Sequence, residues 1–317
     1  MTDCYDEFNL EDYADVEPLP IVTGLKDELC QIMYSEEYKQ LMGLMRAFLS
    51  SNELTPRAMR LTARVIAVAP AFYTAWNYRF NIVVAIAKDR LDQEFQWLDE
   101  VTLNNPKNYQ IWSYRQALVE NLGQDLTLRG DLPIMDMMLD DDTKNYHVWS
   151  YRKWAVLHFK DFTHELSFVD KLIDRDVYNN SAWNHRMFYM KNVSPDDRTI
   201  DEEITYTKNK IELVPQNISS WNYLRGLYDH FKPETGHKGE LLKFAGGFID
   251  ALDLNATADS AESLPEIESS YALEFLASEY ATEGQLQRAK NAYQCLALKY
   301  DPIRGSFWNY KITTLEA

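Results

Sequence analysis

Pro106-Lys107-Asn108-Tyr109-Gln110-Ile111-Trp112-Ser113-Tyr114-Arg115 decides the fold, because its second half keeps returning along the chain. The pattern Tyr-x-x-Trp-x-x-Arg also reads at Tyr73-Thr74-Ala75-Trp76-Asn77-Tyr78-Arg79 and at Tyr146-His147-Val148-Trp149-Ser150-Tyr151-Arg152. Variants follow at Asn180-Ser181-Ala182-Trp183-Asn184-His185-Arg186, Trp221-Asn222-Tyr223-Leu224-Arg225 and Trp308-Asn309-Tyr310-Lys311. Six of the 8 tryptophans belong to this pattern, which is too many for chance. Their separations are 36, 37, 34 and 38 residues, then 87. A period of this size means a stacked array of supersecondary units, and such an array can run to 317 residues as one body. Within the long gap, Ser270-Tyr271-Ala272-Leu273 reads as a degenerate copy with Leu273 in place of Trp, so an insertion is expected near 231–265.

Each unit reads as two helices. Asp92 to Leu103 carries Phe95, Leu98 and Val101 at helical spacing. Asn104-Asn105-Pro106 then reads as an Asx cap with proline in the first turn of the next helix. Comparable starts are expected at Pro70, Asp141-Asp142-Thr143, Asp176, Pro215 and Pro302. Tyr, Trp and Arg at i, i+3 and i+6 share a broad helix face, and the aromatic two residues after Trp points elsewhere. A helix with large aromatics on two sides is buried on two sides, as the inner helix of a solenoid is. The Arg, half-buried beside Trp, is expected to stack on the Trp ring and reach a carbonyl or carboxylate of the next unit. Glu36 to Leu49 and Leu54 to Val68 form a further pair before the first Trp copy. Residues 1–24, rich in Asp and Glu with Pro18 and Pro20, read as a disordered acidic tail, leaving 25–317 as one repeat domain.

Composition excludes several function classes. A formal net charge of −17 repels a phosphate backbone, so no nucleic-acid partner is expected. Cys4, Cys30 and Cys295 have no paired spacing, and the 6 histidines are scattered, which gives neither a disulfide framework nor a metal site. No apolar run reaches the roughly 18 residues of a membrane span. With an acidic N-terminus in place of a basic leader, a cytoplasmic protein is expected.

The words around the tryptophans are more specific than the period. Pro106-Lys107-Asn108-Tyr109-Gln110-Ile111-Trp112, Lys144-Asn145-Tyr146-His147-Val148-Trp149, Asn179-Asn180-Ser181-Ala182-Trp183-Asn184 and Leu213-Val214-Pro215-Gln216-Asn217-Ile218-Ser219-Ser220-Trp221 resemble the repeats of protein prenyltransferase α subunits. The resemblance runs from about Tyr34 to the C-terminus. It implies an all-α, right-handed superhelical solenoid, a crescent of about seven antiparallel helical hairpins, wrapped around a β subunit that is an α/α barrel. It also implies transfer of a farnesyl or geranylgeranyl group from the prenyl diphosphate to the cysteine thiol of a CaaX-terminated protein. The β subunit would hold zinc and set the choice of prenyl group, and magnesium would serve the farnesyl enzyme.

The same resemblance assigns roles to residues. Lys107 matches the lysine that reaches the diphosphate, where a fixed cation stabilises charge on the departing group. Lys144 occupies the same repeat position, and the choice of Lys107 rests on its flanking Pro106 and Gln110. Gln110 matches the glutamine that hydrogen-bonds the peptide's terminal carboxylate. Tyr109, Tyr146, His147 and Tyr73 match the active-site rim, with Tyr146 and His147 near the diphosphate and Tyr73 near the last peptide residue. Two rivals remain: the α subunit of a Rab-type geranylgeranyltransferase, and a non-catalytic helical scaffold.

Overall fold

A computed structural model of the protein describes residues 3–21, 30, 32–123, 126–233, 239–258 and 260–315. Among the described residues there are fifteen α-helices and no strand. They fall into two compact units, residues 1–161 and 162–317. The division falls between two hairpins, as it can in an array whose members touch only their neighbours.

In the first unit α1 (Glu36–Ser51) packs on α2 (Pro56–Val68), which pairs with α3 (Tyr73–Ile86). Two further hairpins follow, α4 (Leu91–Asn104) with α5 (Tyr109–Leu122) and α6 (Leu128–Asp141) with α7 (Tyr146–Phe159). The second unit pairs α8 (Glu165–Arg175) with α9 (Asn180–Val193) and α10 (Asp197–Leu213) with α11 (Ile218–Phe231). Its last hairpins are α12 (Glu240–Gly247) with α13 (Ser270–Thr282) and α14 (Leu286–Cys295) with α15 (Gly305–Leu315). Every Trp of the pattern lies on the second helix of a hairpin, and those helices pack on one another as α3–α5–α7 and as α9–α11–α13. Leu273 is fully buried in α13, in the place of a Trp.

The inner helices begin later than the sequence suggested. Their caps are Asn108, Asn145, Asn179 and Asn217, not the residues beside the prolines, and each Asn side chain accepts backbone N–H bonds from the first helical turn. The same side chains also tie hairpins together. Asn108 Nδ2 donates to Pro70 O (2.8 Å), Asn145 Nδ2 to Pro106 O (2.9 Å) and Asn217 Nδ2 to Val177 O (2.7 Å). The indole N–H groups of Trp76, Trp183 and Trp221 donate to Pro70 O, Val177 O and Pro215 O, each six residues earlier. One carbonyl thus receives its own hairpin's Trp and the next hairpin's cap.

The recurrent Arg positions form the seam. Arg79 clasps the fully buried Glu94 of the next hairpin through Nε (2.7 Å) and Nη2 (2.8 Å), and its guanidinium lies 3.5 Å from the Trp97 ring centroid. Tyr114, two residues after Trp112, donates its hydroxyl to the same carboxylate at 2.6 Å. Burial alone would lower the Arg79 pKa, and the Glu94 carboxylate more than reverses it; burial and then Glu94 push Tyr114 well up. Arg115, Asp131 and Tyr151 repeat the arrangement, as do Arg186, Glu203 and Tyr223 in the second unit.

Two stretches depart from expectation. Residues 3–21 are packed, not a disordered tail; residues 22–24 of that reading lie outside the described residues. Tyr13 is buried against Phe48, Arg90 makes a bidentate pair with Asp3, and Arg60 and Arg57 bind Asp12 and Asp15. Three of the acids, Asp3, Asp12 and Asp15, are neutralised by arginines of α2 and of the α3–α4 turn, so local composition misled. The stretch 231–265, expected as an insertion, supplies the outer helix α12 and then a loop laid along α14 and the π-helical turn that ends it. Asn291 Nδ2 donates to Leu254 O (3.0 Å), Gln294 Nε2 to Ala258 O (3.0 Å) and Tyr300 Oη to Pro265 O (2.7 Å). Residues 234–238 and 259 lie outside the described residues.

Candidate functional site

Tyr73, Tyr109 and Tyr146 are the first residues of α3, α5 and α7. A side chain at that position projects back past the end of its helix. The tyrosines are accordingly 64%, 60% and 76% exposed, unlike the buried Tyr78, Tyr114 and Tyr151 of the same helices. The bonds from Asn108 and Asn145 to the preceding turns set these three helix starts side by side, with Tyr109 in the middle. His147 is half-buried, its ring edge-on to Tyr146 at 5.9 Å.

Lys107 stands in the turn before α5, its side chain 71% exposed, and its ammonium donates to Asp142 Oδ2. Asp142 caps the C-terminus of α6, and its Oδ1 accepts the Lys144 backbone N–H at 3.1 Å. Hydrogen bonding from Lys107, then from the Lys144 amide, holds the Asp142 carboxyl below its ordinary pKa. The structure thereby separates two lysines that share one repeat position: Lys107 gives Asp142 its ammonium and Lys144 its backbone N–H. An open groove of about 420 Å³ runs between the Pro70–Ala71 turn and Lys107, Tyr109 and Gln110.

Gln110 opens the same helix one residue after Tyr109. The residue is only 8% exposed, and its Nε2 donates to Ala71 O at 3.0 Å. One Nε2 hydrogen is left for another acceptor. Asp142 was not identified from the sequence, where it sits in an acidic run, Asp140-Asp141-Asp142, that looks like a solvated helix end. Among the described residues no group of three or more His, Cys, Asp or Glu side chains could hold a metal ion, and no helix is long and apolar enough to cross a membrane. The edge thus offers the Lys107 ammonium, several phenols and an amide along an open groove, a set suited to an anionic ligand.

Comparison with known proteins agrees with this architecture. The model of the protein prenyltransferase alpha subunit repeat matches residues 55–86, 91–122, 128–159, 162–193 and 200–231, which are five of the seven hairpins. The farnesyltransferase/geranylgeranyltransferase type-1 subunit alpha of Candida albicans is 42% identical over 312 residues, covering 96% of this chain and 97% of its own. The Schizosaccharomyces pombe protein of the same description is 34% identical, covering 94% and 92%. Among solved structures, a chain of Candida albicans protein geranylgeranyltransferase-I complexed with GGPP superposes with a TM-score of 0.84 at 41% identity, covering 96% of this chain and 98% of that one. The chain therefore belongs to the protein prenyltransferase α-subunit family and, within it, to the transferase subunits of the farnesyltransferase/geranylgeranyltransferase type-1 class.

Proposed function

We propose that this chain joins a β subunit to transfer a prenyl group from a prenyl diphosphate to the cysteine thiol of a CaaX-terminated protein, forming a thioether. The α-subunit relatives and the GGPP complex support the partner and the diphosphate. In the reaction the sulfur forms a bond to C1 of the isoprenoid while the C1–O bond breaks, and its electron pair leaves with the diphosphate. The thiol gives up its proton before attack. Zinc on the β subunit would supply a thiolate near neutral pH. Magnesium would accompany the diphosphate in the farnesyl enzyme.

This chain's share is electrostatic and positional. Negative charge grows on the leaving diphosphate, and the Lys107 ammonium strengthens its contact as that charge develops. Tyr109 and Tyr146 can donate their hydroxyls to the same oxygens, and His147 lies beside Tyr146 to shape that end. Gln110 is assigned the peptide carboxylate through its second amide hydrogen, and Tyr73 the rim of the pocket for the last peptide residue. Substrates with a free cysteine need a reducing compartment, so we take the cytoplasm as the place of action. The β subunit sets whether farnesyl or geranylgeranyl is transferred.

The exposed Lys107 beside Tyr109 and Tyr146 is the observation that carries the reading. Lys107→Ala, coexpressed with a β subunit, should slow single-turnover prenyl transfer about 10²- to 10³-fold, the usual cost of removing one preorganised charge donor. The heterodimer should still assemble. Wild-type transfer by an assembled Lys107→Ala heterodimer would refute the assignment and return the scaffold reading.

A further inference from the structure

We propose that Asp142 is a positioning residue for prenyl transfer, aiming the Lys107 ammonium at the groove until a diphosphate shares it. The inference rests on the role proposed for Lys107 and deepens it.

The argument comes from comparing equivalent turns. Residues 105–108, 142–145, 176–179 and 214–217 close the same turn ahead of an inner helix. The cap N–H bonds the carbonyl three residues earlier at 3.1, 3.0, 2.9 and 3.2 Å. The opening residues are Asn105, Asp142, Asp176 and Val214. A turn that accepts valine does not need a carboxylate. At 142 one oxygen serves locally, since Oδ1 takes the Lys144 N–H as Asp176 Oδ1 takes the Tyr178 N–H at 3.0 Å. The other oxygen, Oδ2, reaches back a whole repeat to Lys107.

The two partners differ in freedom. Asp142 is fixed at the end of α6 by its backbone bonds to Met138 O and from Asn145 N. Lys107 carries its charge on a flexible four-carbon stem, and a lysine left to itself samples many rotamers. Holding it at Asp142 restricts those rotamers before substrate arrives. Of the three ammonium hydrogens, one is used by Asp142 and two remain for diphosphate oxygens. The arrangement has a cost in binding: a carboxylate beside the incoming diphosphate repels it. Asp142 therefore opposes ground-state binding while favouring the aligned lysine, and the two effects are separable.

Asp142→Asn retains the turn acceptor and removes the charge. In the heterodimer it should lower the single-turnover rate constant about 3- to 10-fold, in the lower part of the range of coupling between contacting groups. The dissociation constant of the prenyl diphosphate should stay the same or fall. In a Lys107→Ala background the same substitution should leave the rate unchanged, because nothing remains to be aimed. Three outcomes overturn the proposal: wild-type transfer by Asp142→Asn, weaker diphosphate binding, or undiminished slowing in the Lys107→Ala background, which would mark a purely structural turn. Should the Asn variant fail to assemble, Asp142→Ser keeps a local acceptor and is read the same way. A Lys107→Ala enzyme that works normally would remove the parent reading as well, whereas a slow Lys107→Ala beside a normal Asp142→Asn removes this inference alone.

Discussion

In the seam between hairpins of the first unit, Arg79 is wrapped by Glu94, Trp97, Met59 O and Thr62; at the edge of the same hairpins, Lys107 meets solvent and a single carboxylate. Both are cation–carboxylate pairs bridging successive repeats. The seam pair recurs as Arg115–Asp131 and, in the second unit, as Arg186–Glu203. The edge position itself varies from hairpin to hairpin: those equivalent to Lys107 hold Ala71, Lys144, Tyr178 and Gln216. Elements that build the array recur in several hairpins, while the residues along the edge change from one hairpin to the next.

The largest effect is expected in the seam. Glu94→Ala leaves Arg79 buried without its carboxylate and strips Tyr114 and Tyr5 of their acceptor, a loss of about 3–5 kcal/mol measured by denaturant unfolding. After Trp221 the same repeat position holds the buried Leu224, and Arg225, one residue further on, lies 5.8 Å from the Phe275 centroid with its Nε buried and without a hydrogen-bond partner. Arg225→Met should therefore be neutral or stabilising by about 1 kcal/mol. Equal losses for the two variants would break the idea that the carboxylate makes the seam. Asn145→Ala removes both a helix cap and the bond to Pro106 O, and should lower stability by about 1–2 kcal/mol in thermal unfolding. Lys107→Ala, severe for transfer, should change stability by no more than about 0.5 kcal/mol, as for exposed pairs generally.

The smallest effect concerns the packed N-terminal segment. Arg90 holds the Asp3 carboxyl, and Arg57 the Asp15 carboxyl, below the ordinary value of 3.8. Carboxyls with depressed folded-state pKa values stabilise the fold above pH about 3.8 and lose that contribution as pH falls through the lower values. Hydrogen exchange at residues 3–21 should stay slow at neutral pH and accelerate ahead of α2 and α4 on acidification. Acceleration in step with those helices would mean that the segment is held by Tyr13 and its apolar neighbours alone.

Much of this was legible in the chain. Six tryptophans at regular spacing located the inner helices, and Leu273 was found in the gap by the same register. The acidic partners of the seam were missed, although Glu94, Asp131 and Glu203 follow their arginines by 15, 16 and 17 residues. With 49 Asp and Glu in the chain, an acid on an outer helix looks like solvent-facing surface until its burial is known. Residues 3–21 misled for a related reason, since Arg57, Arg60 and Arg90 lie far along the sequence from the acids they neutralise. Lys107 could be singled out only by the words around it. The orientation of Gln110 depends on Ala71 O, 39 residues earlier, which no local pattern reports.

The doubly used carbonyls of Pro70, Val177 and Pro215 bear on how such a chain can change length. Each receives an indole from its own hairpin and a cap from the next, Ser269 Oγ supplying the second bond at Pro215 (2.6 Å). A single codon gained between a turn and its Trp would pull the indole off the oxygen while the neighbouring cap still reached for it. The loop at 248–265, which ends before Ser269, lengthens the chain without entering that interval. Gene rearrangements in this lineage should accordingly be tolerated as whole hairpins, copied or lost from one shared oxygen to the next, or as extra chain inserted ahead of a cap.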